Sequence, residues 1–162
     1  MNISAIGQDS HRFEEGDKPL ILGGVLLESE KGLKGNSDAD VVLHALTNAI
    51  SGITGRNILG AVADALCEKG IRDSRVYLKE ALKDLEALKG RICHVSFSLE
   101  AKRPHMAPHI PAIRASIAKL LGIQPPQVGF TATSGEGLSD FGRGEGIQVF
   151  CILTADLPGE AE

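Results

Sequence analysis

Apolar and polar residues alternate in short runs towards both ends of the chain and recur at helical spacing between them, which reads as strands interleaved with helices. Asn2 to Gln8 is expected to be a first strand that runs into Asp9-Ser10-His11. Leu20-Ile21-Leu22 and Val25-Leu26-Leu27 flank Gly23-Gly24, a pair suited to a tight hairpin turn. Ser37 or Asp38 can cap a helix whose apolar stripe is Val42, Leu46, Ala49, Ile50 and Ile53; Asp40, His44, Thr47, Asn48 and Ser51 fall on the other side. Gly52 to Gly70 is glycine-rich and weakly periodic, so a long loop with a short helical turn is expected. Asp73-Ser74 then caps a helix with Leu78, Ala81, Leu82 and Leu85 inside, and Cys93 to Leu99 alternates as a half-buried strand. Pro108 to Leu121 is a third helical pattern, striped by Ile110, Ile113, Ile117 and Leu120 and closed by Gly122. Pro125-Pro126 leads into a strand from Val128 to Thr133, and a last strand, Ile147 to Thr154, precedes an acidic tail.

The length, 162 residues, suits one domain, and 43% apolar residues suffice for an ordinary core. With no Trp and one Tyr the core must be aliphatic, and stacking of nucleic-acid bases is a poor expectation. A net charge of −4 argues the same way, since nucleic-acid binding needs a basic surface. Lys102-Arg103-Pro104-His105 is nevertheless a candidate local basic pocket, with a solvated loop as the alternative. Cys67, Cys93 and Cys151 are odd in number and set among apolar residues, as expected of buried thiols in a reducing cytosol. No secretory signal and no apolar run near the roughly 20 residues of a membrane span are visible, so a soluble cytoplasmic protein without membrane contact is expected.

Asp9 and His11 are two residues apart in an extended segment, and strand side chains alternate, so both point to one face. A carboxylate and an imidazole placed this way can reach one cation, and His44 is a third candidate. One carboxylate and two imidazoles suit zinc, and three protein ligands leave a fourth position for water or substrate. Asp40, one turn before His44, is a candidate to orient its ring. Two loops look suited to phosphate. Thr133-Ser134-Gly135-Glu136-Gly137 follows a strand directly; its hydroxyls and backbone N–H groups can take phosphate oxygens, and Glu136 can hold a hard divalent cation. In Gly142-Arg143-Gly144-Glu145-Gly146, Arg143 either clamps a diphosphate or pairs with Glu145.

Together these residues resemble the 2-C-methyl-D-erythritol 2,4-cyclodiphosphate synthase family of non-mevalonate isoprenoid biosynthesis. The similarity runs from about Ile6 to about Thr154 through G-x-D-x-H at Gly7 to His11, Leu22-Gly23-Gly24-Val25, S-D-x-D-V-x-x-H-A-L at Ser37 to Leu46, and Asp73-Ser74. It continues in P-H-x-x-P-H-I-P at Pro104 to Pro111, A-T-x-x-E at Ala132 to Glu136, and G-R-G-E-G at Gly142 to Gly146. The resemblance implies a single α+β domain over residues 1–162, a mixed β-sheet with helices packed on one face, assembling as a homotrimer with active sites between subunits. It implies zinc on Asp9, His11 and His44, and a magnesium or manganese ion held partly by Glu136, with Thr133 and Glu136 as catalytic residues. A cytidine nucleotide substrate would contact Ser37, Asn57, Ala101, Pro104, His105, Met106, Ala107, Ala132 and Thr133. Arg143 and Glu145 would face a central cavity that takes an isoprenoid diphosphate. The implied reaction is attack of the substrate's 2-phosphate on the β-phosphorus of its CDP group, expelling CMP and closing a cyclic diphosphate. A catalytically silent zinc trimer that binds isoprenoid diphosphates is the first rival reading, and a metal-dependent phosphohydrolase the second. The chain departs from the family pattern at Gln8, Asn36, His105, Thr131 and Gly137, and where Arg56-Asn57-Ile58-Leu59 replaces G-D-I-G; the metal ligands are untouched.

Overall fold

Strict alternation in β1 (Asn2–Arg12) sends Ile3, Ala5, Gly7, Asp9 and His11 to one face of a sheet and Ser4, Ile6, Gln8 and Ser10 to the other, in a computed structural model that describes residues 1–159. β2 (Leu20–Leu22) and β3 (Val25–Leu27) form a separate hairpin, whose Gly23 (φ 63°) and Gly24 (φ 78°) supply the left-handed turn conformation that glycine adopts without strain. The main sheet adds β4 (Arg91–Glu100), β5 (Val128–Thr133) and β6 (Gly146–Asp156) in the order β1-β6-β4-β5. β6 is antiparallel to both neighbours and β5 is parallel to β4, so the sheet is mixed, as expected.

The inner face of β6, Ile147, Val149, Cys151, Leu153 and Ala155, is fully buried, and Val95, Phe97 and Leu99 continue that layer on β4. α1 (Val41–Thr54) lies on β1 and β6, α3 (Ser74–Ala87) packs on α1, and α4 (Ile110–Leu121) covers β5. Gly7 makes the close approach of α1 possible: a Cβ there would stand 2.0 Å from the Ala45 carbonyl oxygen and 2.4 Å from the Ala49 nitrogen. The opposite sheet face carries the cross-strand pair Ile6 and Ile152 beside Phe150, exposed by 62%, 52% and 39%. Among the described residues, no helix is long and apolar enough to cross a membrane.

Three local expectations are revised. α1 is capped by Asp40, whose side chain accepts the Leu43 N–H, rather than by Ser37 or Asp38. Its polar side is not solvated: sandwiched between sheet and α3, the helix buries Asp40, His44 and Thr47 along with its apolar stripe. The stretch from Gly52 to Gly70 is less of a loop than expected, because α1 runs to Thr54 and α2 (Ala61–Glu68) fills eight residues of it. Buried Ile58 and Ala63 anchor this stretch to the core, an attachment that weak periodicity conceals. Residues 160–162, the end of the acidic tail, lie outside the described residues.

Candidate metal centre

The C-terminal half of β1 presents Asp9 and His11 on the face that α1 covers, and the first turn of α1 presents His44 beneath them. Asp9 Oδ2 lies 2.9 Å from His11 Nε2 and 3.1 Å from His44 Nδ1, and the two nitrogens are 3.4 Å apart. Ligands about 2.0–2.1 Å from a tetrahedral zinc stand about 3.3 Å from one another, so this triangle of donor atoms fits the ion. The three atoms form one compact group, with Asp9 and His11 part-exposed and His44 buried. The opening lies on the Asp9–His11 side, where a fourth ligand can enter.

Each imidazole is held by its far nitrogen. His11 Nδ1 is 2.8 Å from the Lys34 carbonyl, which can only accept, so Nδ1 carries the proton and Nε2 offers its lone pair to the centre. His44 Nε2 is 2.8 Å from Ser74 Oγ, whose hydroxyl in turn donates to Asp38 Oδ1. With no metal to take up the ring lone pairs, burial works against ionisation of Asp9, but the facing nitrogens of His11 and His44 can then donate to it and hold the carboxyl below its ordinary range. The Asp9 carboxylate does the converse to His11, raising its pKa against the effect of burial.

Asp40 does not orient the His44 ring. Its carboxylate accepts from Gly23 N (2.8 Å), Gly24 N (2.7 Å) and Leu43 N (3.0 Å), clamping the hairpin turn to the start of α1. The ring partner is Ser74, from another helix. The Asp73-Ser74 pair reads in sequence as a helix cap, and Asp73 does cap α3, but nothing in the spacing says that Ser74 reaches His44.

The remaining site residues fall into separate groups. Ala101, Pro104, His105, Met106 and Ala107 line one cavity of about 230 Å³ together with Ala132 and Thr133, as expected of a single binding pocket. None of the three metal-site residues lines that cavity; His11 lines another, with Ser10, Arg12, Asp140, Phe141, Glu145 and Gly146. Ser37 borders a larger cavity that also holds Asp38, Arg72 and Arg75. Asn57 is exposed ahead of α2 and lines none of these cavities.

Glu136 is exposed with a left-handed backbone (φ 49°) between Gly135 (φ 74°) and Gly137 (φ 73°), so the turn extends its side chain outward. Thr133 and Ser134 are exposed beside it. The two glycine loops are one structure, since a Cβ on Gly142 would meet the Gly135 carbonyl oxygen at 2.7 Å. The Arg143–Glu145 ion pair considered as an alternative does not form. Arg143 reaches Asp140 at 2.5 Å, while Glu145 lies 3.5 Å from Arg12.

The sequence model of the YgbB family matches residues 3–156. A 2-C-methyl-D-erythritol 2,4-cyclodiphosphate synthase of Chlamydia caviae is 55% identical over 152 residues, covering 92% of this chain and 86% of that protein. Among solved structures, the bifunctional IspDF of Campylobacter jejuni superposes with a TM-score of 0.85 at 28% identity, covering 98% of this chain; this chain spans 43% of that longer protein. A CDP-bound 2C-methyl-D-erythritol-2,4-cyclodiphosphate synthase superposes with a TM-score of 0.78 at 30% identity, covering 95% of this chain and 100% of that one.

Proposed function

The chain belongs to the YgbB family, its activity is that of a 2-C-methyl-D-erythritol 2,4-cyclodiphosphate synthase, and we propose that Asp9, His11 and His44 hold the zinc ion on which that activity depends. The observation that carries the site assignment is the convergence of Asp9 Oδ2, His11 Nε2 and His44 Nδ1 within 3.4 Å of one another, with both far ring nitrogens already engaged.

The reaction forms one P–O bond, from a 2-phosphate oxygen to the β-phosphorus, and breaks the P–O bond between the α- and β-phosphates, so that CMP leaves with the bridging oxygen. Such a transfer needs positioning and charge neutralisation rather than a protein nucleophile. When bound, zinc and a magnesium or manganese ion supply Lewis-acid neutralisation of the phosphate oxygens. Asp9 offsets part of the zinc charge, and the two neutral imidazoles keep a net positive centre. The Thr133 hydroxyl and the backbone N–H groups of the Ser134–Gly137 turn hold phosphate oxygens, and outward-facing Glu136 holds the second cation. The cavity lined by Ala101, Pro104, His105, Met106, Ala107, Ala132 and Thr133 takes the cytosine end of the substrate. CDP in the solved relative supports that class of ligand. Ser37, on the rim of the cavity that also holds Asp38, Arg72 and Arg75, would contact the substrate from there, and Asn57 stands where a family aspartate would meet the sugar hydroxyls.

The nucleotide cavity and the metal site do not share a wall within one chain, which supports completion of each site by a neighbouring copy in a homotrimer. The exposed apolar face of Ile6, Phe150 and Ile152 gives such an assembly surface to bury. Arg143 and Glu145 would then lie near the trimer axis, where they would meet an isoprenoid diphosphate. A soluble cytoplasmic setting accords with Cys67, Cys93 and Cys151 all being free thiols. The silent-trimer reading is not favoured, because Asp9, His11 and His44 of the metal triangle and Thr133 and Glu136 of the phosphate turn are all present.

The test is incubation of the zinc- and magnesium-loaded protein with 4-diphosphocytidyl-2-C-methyl-D-erythritol 2-phosphate, followed by mass spectrometry of the products. CMP together with a cyclic diphosphate is expected. A linear phosphate product would favour the phosphohydrolase, and recovery of unchanged substrate would favour the silent trimer.

A further inference from the structure

We infer that Asp38 and Ser74 are positioning residues that fix the ring of His44 as a metal ligand by dictating which of its nitrogens carries the proton. This rests on the zinc reading of Asp9, His11 and His44 and adds to it two residues that contact no metal.

The argument is one of counting protons. The Asp38 side chain is surrounded by donors. Its Oδ1 accepts from Asp40 N at 3.0 Å and its Oδ2 from Ser74 N at 2.9 Å, and both are backbone N–H groups that can only donate. Ser74 Oγ makes a short hydrogen bond to the same Oδ1. In this setting the carboxylate is an acceptor, so the single hydroxyl proton of Ser74 goes to Asp38. Ser74 is fully buried, so no water competes for its remaining lone pairs. His44 Nε2, 2.8 Å away, must then be the donor, and in the neutral ring that a metal ligand requires, a proton on Nε2 leaves the lone pair on Nδ1. Nδ1 is the nitrogen that stands 3.1 Å from Asp9 Oδ2 and 3.4 Å from His11 Nε2. The relay thus does for His44 what the Lys34 carbonyl does for His11, by a different device.

Topology explains why a relay is needed. His44 comes from the buried side of α1, facing α3, and the partner its Nε2 finds there is a side chain and not a backbone carbonyl. An acceptor must be imported: Ser74 at the start of α3 supplies it, and Asp38, just before α1, fixes its polarity. The Asp38 N–H is itself anchored to the Arg72 carbonyl at 2.9 Å, so the two segments that carry the relay are tied together.

The test measures zinc affinity by chelator competition on the purified chain, alongside nitrogen-15 NMR of the histidine rings in the zinc-free wild type at alkaline pH, where no metal dictates the tautomer. Partners of this kind are typically worth 10–100-fold in metal affinity. Ser74→Ala is expected to lose about that much zinc affinity, Asp38→Asn to lose a similar amount by allowing a donor to face Ser74 Oγ, and Ser74→Thr to recover most of it. The zinc-free wild type is expected to carry the His44 ring proton on Nε2 with Nδ1 unprotonated, a tautomer that a purely structural role for Ser74 would not impose. Zinc binding by Ser74→Ala within twofold of wild type, or a His44 ring proton on Nδ1, overturns the relay alone. A wild type that binds no zinc overturns the ligand assignment and the relay with it. If Ser74→Ala fails to fold, the ring-proton measurement on the wild type still decides.

Discussion

Replacing Gly7 by alanine adds one methyl group at the closest approach of β1 and α1, and its cost can be worked from the backbone positions. The new Cβ would lie 2.0 Å from the Ala45 carbonyl oxygen and 2.4 Å from the Ala49 nitrogen, contacts that real Cβ atoms do not make below 3.0 Å. Both obstacles are backbone, so no side chain can swing away, and strand and helix must part by at least about 1 Å. Overpacking of this kind costs about 1–3 kcal/mol, and a fully buried backbone contact belongs at the upper end. At 2–4 °C per kcal/mol for a chain of this size, the melting temperature should fall by about 6–12 °C. The same movement carries Asp9 and His11 on β1 away from His44 on α1, so zinc affinity should fall at least about tenfold, or about 1.4 kcal/mol. Scanning calorimetry and chelator competition measure the two effects on one preparation. Gly159→Ala, where an added Cβ meets nothing within 4 Å, is the control and should change neither. A Gly7→Ala protein that melts within about 2 °C of wild type and holds zinc as tightly would refute the argument that this glycine sets the strand-to-helix distance and, through it, the metal triangle.

Asp40 predicts a pH dependence: burial raises its pKa from 3.8 to about 6 despite the N–H groups of Leu43, Gly24 and Gly23. A raised carboxyl stabilises the fold fully below its unfolded value and loses that contribution as pH rises through the folded one, so wild type should lose on the order of 3 kcal/mol relative to Asp40→Asn between pH 4 and pH 7. Denaturant titrations of both proteins check this, and a difference independent of pH would contradict it. His44→Ala should retain the fold but lose turnover and most of its zinc by elemental analysis; full zinc retention would sink its assignment as a ligand. Glu136→Gln should lower kcat and kcat/KM together and weaken the magnesium dependence while leaving zinc content unchanged, and near-normal kcat with unaltered magnesium dependence would exclude it as the second metal's ligand.

Periodicity and local chemistry made most of the elements legible. The strict alternation around Asp9 and His11, the Gly23-Gly24 turn and the Ile113–Ile117 stripe of α4 are local signals, and each element formed where its pattern indicated. The metal triangle was legible for the same reason on the β1 side, where two ligands share a strand face. The group lining the cavity proposed for the nucleotide was read through resemblance, since Ala101 to Ala107 and Ala132 to Thr133 meet only when β4 and β5 pair in parallel.

What the chain's own order of residues determined, then, was whatever depends on neighbours within a few positions: alternation, capping, the left-handed turn, and the pairing of Asp9 with His11. What only the tertiary structure decided was the partner of each buried polar group. Asp40 looked like the companion of His44 because it is one turn away, yet it clamps Gly23 and Gly24 from the hairpin, while His44 is met by Ser74, 30 residues downstream. A buried donor or acceptor must find its complement wherever packing brings one, and leaving it unpaired costs about 1–3 kcal/mol. That requirement is met in space and not along the chain, so the side of α1 that carries Asp40, His44 and Thr47 proves buried, with each of these three hydrogen-bonded.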